Sequence, residues 1–346
     1  MRFLISHSFK HRLAPAIALA LGVFALSGCT GVLDSVERKA NIPVPKKLIH
    51  KMKAKGMPSR APIMLRIFKE ENTLEVWKKR DTGSYGMLTS YDICKWSGKL
   101  GPKFKEGDKQ APEGFYTVNK WQMNPNSKYH LAFNMGFPNR YDRAHGRTGS
   151  HLMIHGACSS AGCYSMTDEY VEEIYALARE AFKGGQKAFQ IQAYPFRMTA
   201  ENMAKHKDHK HFEFWKMLKR GYDHFEITSV PPKVDVCEKR YVFNTTSSGK
   251  YESTGQCPAM EMPQTLATAF VARQKKDAAQ FEKLLGKGTS AKMSVGSMDM
   301  ASLLPGVAVK TPNKTPVAPK PAAPKPAPEP TPSASTGLET TLKPAG

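Results

Sequence analysis

Between His151 and Asp168 the chain reads HLMIHGACSSAGCYSMTD, which puts two histidines and two cysteines within eighteen residues. Such a set admits a metal site, a disulfide, or a thiol nucleophile with an imidazole base. Counted as ligands, His151, His155, Cys158 and Cys163 give H-x3-H-x2-C-x4-C, whereas structural zinc sites more often pair their ligands at C-x2-4-C. Both histidines lie in HLMIHG, which alternates like a strand. Residues four apart on a strand share a face but stand about 13 Å apart, too far to meet one ion easily. No metal and no cofactor is expected. A thiol nucleophile reacts as the thiolate, whose free pKa of about 8.5 must be lowered by a base or by oriented dipoles. His155 can supply the base. Gly162 lets the backbone approach closely and leaves room for a carbonyl beside Cys163. A helix beginning at Thr167 would bring free N–H groups that favour a thiolate and an oxyanion.

The surrounding elements must position these groups. PIMLRIFK, EENT and LEVWKK, from Pro62 on, read as strand, turn and strand. SYGMLTSYDIC is a further strand carrying Cys94, and SGKLGPKFKEGDKQAPEG is a loop dense in Gly, Pro and Lys. FYTVNKW, YHLAFNMG and HLMIHG predict three more strands. Thr167 can cap a helix whose first turn holds Asp168 and Glu169 and which Gly184 and Gly185 can stop. KAFQIQAYPF returns to strand, and TAENMAKHKDHKHFEFWKMLKRG predicts one helix capped by Thr199. Strands first and helices late indicate an α+β, β-rich fold rather than a parallel α/β sheet. After Thr228 comes a small extension through Cys257, followed by a helix from about Pro263 to Leu285. Cys237 and Cys257 flank a short polar segment there and are expected to form a disulfide.

The residues around the cluster are specific. IHG at Ile154–Gly156, the cysteine segment Ser160, Gly162, Cys163 and Met166, and Pro112, Gly114 and Phe115 upstream together resemble the YkuD-type L,D-transpeptidases. The resemblance spans roughly Ala61 to Phe196. Longer stretches, including ICKWSGKLGPKFKEGDKQAPEGFY, are similar to the YafK-like branch. It implies a β-sandwich-like catalytic domain and cysteine acyl transfer on peptidoglycan stem peptides. Cys163 takes the nucleophile's place and His155 the base's. Gly156 occupies the position whose carbonyl orients that base, and backbone N–H groups of Gly162 and Cys163 would form the oxyanion hole. Ser160, Ser165, Pro112 and Gly114 are the implied substrate contacts. Two positions depart from the family pattern. Ala161 replaces a histidine, and Ser165 replaces an arginine suited to a substrate carboxylate. His151 has no assigned role and reads as structural. Cys158 could pair with Cys94, stay an inert thiol, or resolve an oxidised Cys163. The HKDHKH run at His206–His211 reads as a solvated helix face.

The ends of the chain bear on compartment. Arg2, Lys10, His11 and Arg12 precede an apolar run from Leu13 to Leu26, the pattern of a secretory signal. It closes in LSGC at Cys29, which resembles the lipobox of bacterial lipoproteins. With Thr30 next, the expected address is the periplasmic face of the outer membrane, with lipid on Cys29. Export permits disulfides, and the five cysteines left after Cys29 leave at least one unpaired within a monomer. Residues 29–59 read as a tether, 60–228 as the catalytic domain and 229–285 as the extension. Residues 286–346 read as a disordered tail, rich in Pro, Ala and Lys. The net charge of +21 is spread along the chain and suits anionic wall polymers or lipid headgroups rather than nucleic acid. Expected partners are stem peptides, the membrane through the N-terminal lipid, and a wall-linked protein as a further candidate. Two alternatives stay open: a hydrolase that detaches wall-linked protein or cleaves L,D bonds, and a non-catalytic wall-binding lipoprotein.

Overall fold

The computed structural model describes residues 35–286 and 303–310. Two five-stranded sheets form its centre. The first has the order β3-β2-β1-β10-β5, built from β1 (Ile63–Phe68), β2 (Thr73–Lys79), β3 (Tyr85–Asp92), β5 (Gly114–Asn119) and β10 (Ala188–Tyr194). The second has the order β4-β9-β8-β7-β6, from β4 (Lys95–Trp96), β6 (Met123–Ser127), β7 (His130–Asn134), β8 (Met153–His155) and β9 (Tyr164–Ser165). β1 and β2 form a hairpin whose turn uses Asn72 at φ 50°, a conformation that asparagine tolerates better than most residues.

Strand β1 is buried at every position, so both its faces are covered. Ile63, Leu65 and Ile67 face the main core, which they share with Leu131, Phe133, Ile154 and Tyr164 of the second sheet. Helix α3 (Asp168–Lys183) adds Val171, Ile174, Leu177 and Ala178 to that core. It is capped as its sequence predicts, the Thr167 side chain accepting from Tyr170 N–H. On the opposite face of the first sheet, Phe68 and Tyr194 pack under Trp215, Leu218 and Tyr222 of helix α5 (Phe212–Thr228). Arg66 lies there too, its guanidinium 4.3 Å from the Tyr222 ring centroid and paired with Glu226 at 2.9 Å. The α+β, β-rich class expected from the order of elements is the observed one.

Several boundaries differ from expectation. Residues 29–59 are not all tether: helix α1 (Lys46–Ala54) buries Leu48 and Met52, and Met57 follows them into the main core. The i, i+4 spacing of Leu48 and Met52 gives α1 an apolar stripe, and Lys47 pairs with the buried Glu173 at 2.7 Å. The single helix expected from Thr199 is two, α4 (Ala200–Lys205) and α5. The histidine run lies in the turn between them rather than on a helix face. It turns because its rings have partners: His206 stacks on Phe196 and meets Glu70, and His209 stacks on Trp215. Chain 229–285 packs onto α5 and the first sheet through Tyr241 and Phe243. Its helix α6 (Gln264–Leu285) is joined to α5 by Asp223, which holds Lys219 and Arg273. Residues 303–310 are not tail. Leu304 is buried and β14 (Val307–Lys310) pairs parallel with β13 (Met260–Pro263). The leader, Cys29 and the Pro-rich segment beyond Lys310 lie outside the described residues.

Candidate active site

Sheet register brings Cys163 and His155 to one face. β8 and β9 run parallel, with Ile154 opposite Tyr164 and His155 opposite Ser165. Ile154 and Tyr164 are fully buried in the core. Side chains alternate along a strand, so His155, one residue after Ile154, and Cys163, one residue before Tyr164, project to the other face. Met153 N–H donates to Cys163 Sγ at 3.4 Å, and the thiol lies 3.7 Å from the His151 carbonyl. Among the described residues Cys163 is the free cysteine. His151 sits in the left-handed region, φ 54°, and not on the strand, which removes the premise of the 13 Å separation. Among the described residues no group of three or more His, Cys, Asp or Glu is placed to hold a metal.

The imidazole is held by its own strand end. His155 Nδ1 lies 2.6 Å from the Gly156 carbonyl oxygen. A carbonyl only accepts, so the proton sits on Nδ1 and the Nε2 lone pair is left to take a proton. Gly156 has no room for a side chain: a Cβ there would come within 2.4 Å of Asp168 Oδ1 and 3.1 Å of the Tyr129 carbonyl oxygen. That closeness lets Gly156 N–H reach the Tyr129 and Leu131 carbonyls, each at 3.1 Å. The Tyr129 ring packs on the imidazole at 4.7 Å between centroids. Burial pushes the His155 pKa down, against the bond to Gly156. Burial pushes the Cys163 thiol up, opposed by the Met153 N–H and the Lys103 charge. Both shifts favour the uncharged forms, thiol and imidazole.

The segment between them is strapped at several points. Ala157 and Cys158 are consecutive left-handed residues, φ 62° and 45°. Ala157 N–H donates to Asp168 Oδ1 at 2.7 Å, and Cys158 N–H to the Met166 carbonyl at 3.2 Å. Cys158 forms a disulfide with Cys94, at the mouth of β4, so of its three open readings the structure takes the pairing. Ser160 Oγ donates to the Cys163 carbonyl at 2.7 Å, and Gly162 N–H reaches Ser160 Oγ at 3.4 Å. That last contact is long for a hydrogen bond, so the N–H can turn to a better acceptor. Gly162 stands at φ 129°, a region closed to other residues.

Three implied substrate contacts serve the scaffold instead. Ser165 is fully buried and its hydroxyl donates to the Lys95 carbonyl at 2.8 Å, because β4 pairs directly against β9 at that point. Pro112 accepts from Tyr164 OH at 2.8 Å through its carbonyl, which ties the upstream motif to the residue after Cys163. Gly114, φ 145°, starts β5 under Tyr241, whose hydroxyl would lie 2.8 Å from a Cβ at that position. Between them Glu113 binds the buried Lys69 at 2.9 Å, Gly101 N–H at 2.7 Å and Trp215 Nε1 at 2.8 Å. The motif thus anchors the Lys-rich loop beside the cysteine. Sequence reasoning missed Tyr129, Met153, Lys103 and Asp168. Met153 and Asp168 lie within the cysteine–histidine stretch itself, but Tyr129 and Lys103 come from other segments, and no local spacing marks the contacts any of them makes.

This arrangement sits in a chain whose sequence matches a known catalytic family. Residues 65–185 match the L,D-transpeptidase catalytic domain of the YkuD family. "Putative L,D-transpeptidase YafK" of Escherichia coli (strain K12) is 45% identical over 227 residues, covering 66% of this chain and 89% of that protein. The protein of the same description from Escherichia coli O157:H7 gives the same figures. The chain belongs to the YkuD L,D-transpeptidase family and is YafK-like within it. Among solved structures, the helical cell shape determining protein Pgp2 from Campylobacter jejuni is 18% identical. That match covers 54% of this chain and 79% of the other, with a TM-score of 0.32.

Proposed function

We propose that the protein transfers acyl groups of peptidoglycan stem peptides through a thioester on Cys163, in the manner of an L,D-transpeptidase. The observation that supports this reading is the His155 Nδ1–Gly156 carbonyl bond, which leaves Nε2 of His155 free to act as the base. His155 Nε2 takes the thiol proton as Sγ attacks the carbonyl at the L-centre of a diaminopimelate residue. The C–S bond forms, the C–N bond breaks, and the amine leaves with the proton from His155. An acceptor amine, or water, then attacks the thioester, gives its proton to His155 and returns the thiol. N–H groups of Gly162 and Cys163 hold the oxyanion in both halves. Incubating the purified protein with tetrapeptide muropeptides and analysing the products by mass spectrometry tests the reading. Cys163→Ala should yield none, and His155→Gln about 10²–10⁴-fold less, the usual worth of a general base. Normal yield from folded Cys163→Ala refutes it.

Hydrolysis is favoured by one observation. With Ser165 buried and its hydroxyl committed to Lys95, position 165 offers nothing to a free stem carboxylate. A substrate whose carboxylate is already an amide, such as a wall-linked protein, needs no cation there. Release of free protein from a protein-linked muropeptide, without new cross-links, would place hydrolysis first. Anchoring belongs to the same reading: lipid on Cys29 would hold the enzyme at the periplasmic face of the outer membrane. Palmitate labelling lost in Cys29→Ala supports this, and labelling that persists in that variant sinks it.

A further inference from the structure

A large cavity among the described residues lies away from the cysteine. It has a volume of about 770 Å³ and is bounded by α5, α6, β12 (Arg240–Phe243), β13 and the chain at 303–307. Neither Cys163 nor His155 lines it. The volume falls in the range of small-molecule sites, roughly 300–1,000 Å³. Much of its wall is apolar, with Met217, Phe243, Met260, Phe281 and Leu304.

Its charges do not balance. Lys216, Arg220 and His224 follow at i, i+4 and i+8 along α5 and so share a face, and Lys219, Lys239 and Arg240 also line the cavity, against the carboxylates of Glu213, Asp277 and Glu282. Lys216 is paired with Glu213, Lys219 with Asp223 and Asp277, and Arg240 with Glu238. Arg220 has no carboxylate partner among the described residues. Its recorded neighbours are the Phe270 ring, 5.7 Å from the guanidinium, and the like charge of Arg240. Burial, and then Arg240, lower its pKa. Burial and the Arg220 charge bring His224 down to about 4, so that imidazole is neutral near pH 7 and accepts from Asn244 Nδ2 through Nδ1 at 3.3 Å. Arg220 is half-buried, and a guanidinium that is partly desolvated beside a like charge gains from an anion placed next to it. Alkyl groups would fill the apolar wall.

We propose that this cavity binds an amphiphile with one anionic head, the head on Arg220 with Lys239 and the alkyl chain against Met217, Phe281 and Leu304. The carboxylate of a fatty acid and the phosphate of a phospholipid share this chemistry. The test is isothermal titration of the full-length protein with decanoate, dihexanoyl phosphatidylglycerol, decanol and inorganic phosphate. Decanoate or the phosphatidylglycerol should bind, with decanol at least tenfold weaker. Binding of one alone identifies the head group. Arg220→Gln should weaken the anionic ligand at least tenfold and narrow its advantage over decanol. Ala278→Trp, which fills the cavity from α6 without touching a charge, should abolish binding. If one variant fails to fold by circular dichroism, the other decides. Absence of binding by both amphiphiles overturns the proposal, as do equal affinity for decanol, binding by phosphate alone as tight as by the amphiphiles, or undiminished binding by the folded variants.

Discussion

At the scale of residues, the site is governed by which atoms are already engaged. His155 uses Nδ1 on Gly156, and its pKa is held down by burial. A base must be neutral to act, so a lowered pKa keeps it competent further into acid. The acid limb of kcat/KM should therefore fall below pH 6.5, the ordinary imidazole value of about 6.5 being the reference. A pH–rate profile with an acid limb at or above 7 would contradict this. Lys103 acts on the other partner. Removing its charge, as in Lys103→Met, should move the midpoint of Cys163 alkylation to higher pH, since that charge opposes the burial that raises the thiol. Alkylation by iodoacetamide across pH measures the shift, and an unchanged or lowered midpoint would refute a role for Lys103.

At the scale of elements, the loop before β5 and the segment before β9 depend on partners that bring them to the cysteine. Glu113 is the counter-charge of Lys69, and both side chains are fully buried. Breaking such a pair leaves an uncompensated charge, so Glu113→Gln should cost about 3–5 kcal/mol in urea unfolding. A loss under about 1 kcal/mol would mean that Lys69 is satisfied by the Lys99, Gly101 and Ala111 carbonyls alone. The helix that proved to be two shows why element boundaries escape local reading. The weak helix formers His and Asp at 206–211 permit a break there, and the partners that hold the turn, Phe196 and Glu70 against His206 and Trp215 against His209, are supplied by the fold. In the extension, Cys237 and Cys257 are bonded across a sequence separation of 20. Replacing both by serine should cost about 3 kcal/mol by the chain-entropy relation, read from denaturant midpoints under oxidising conditions.

At the scale of the whole molecule, the fold is larger than its catalytic motif. The chain from α1 to β14 contributes to shared cores, so a fragment beginning at Ala61 would lose Leu48, Met52 and Met57 from the main core, where α1 packs against β3. Met52→Ala should lower stability by about 2–5 kcal/mol. Chemical denaturation measures that loss, and thiol alkylation rates show whether it reaches Cys163. A negligible loss would restore the tether reading for that segment.

The amino-acid sequence by itself determined the class of fold and, through the family resemblance, singled out Cys163, His155 and the Gly156 carbonyl as a candidate site. These features are local: alternation along strands, a capping threonine, and a base and nucleophile carried on neighbouring segments. The use of Pro112, Gly114 and Ser165 was decided by tertiary structure alone. Their motif is legible, but whether a motif residue faces substrate or scaffold depends on what packs against it, and Tyr164, Tyr241 and the Lys95 carbonyl come from other strands. Tyr129 over the imidazole and the unbalanced Arg220 were equally out of reach. Contact and charge compensation are sums over neighbours that only the folded chain brings together.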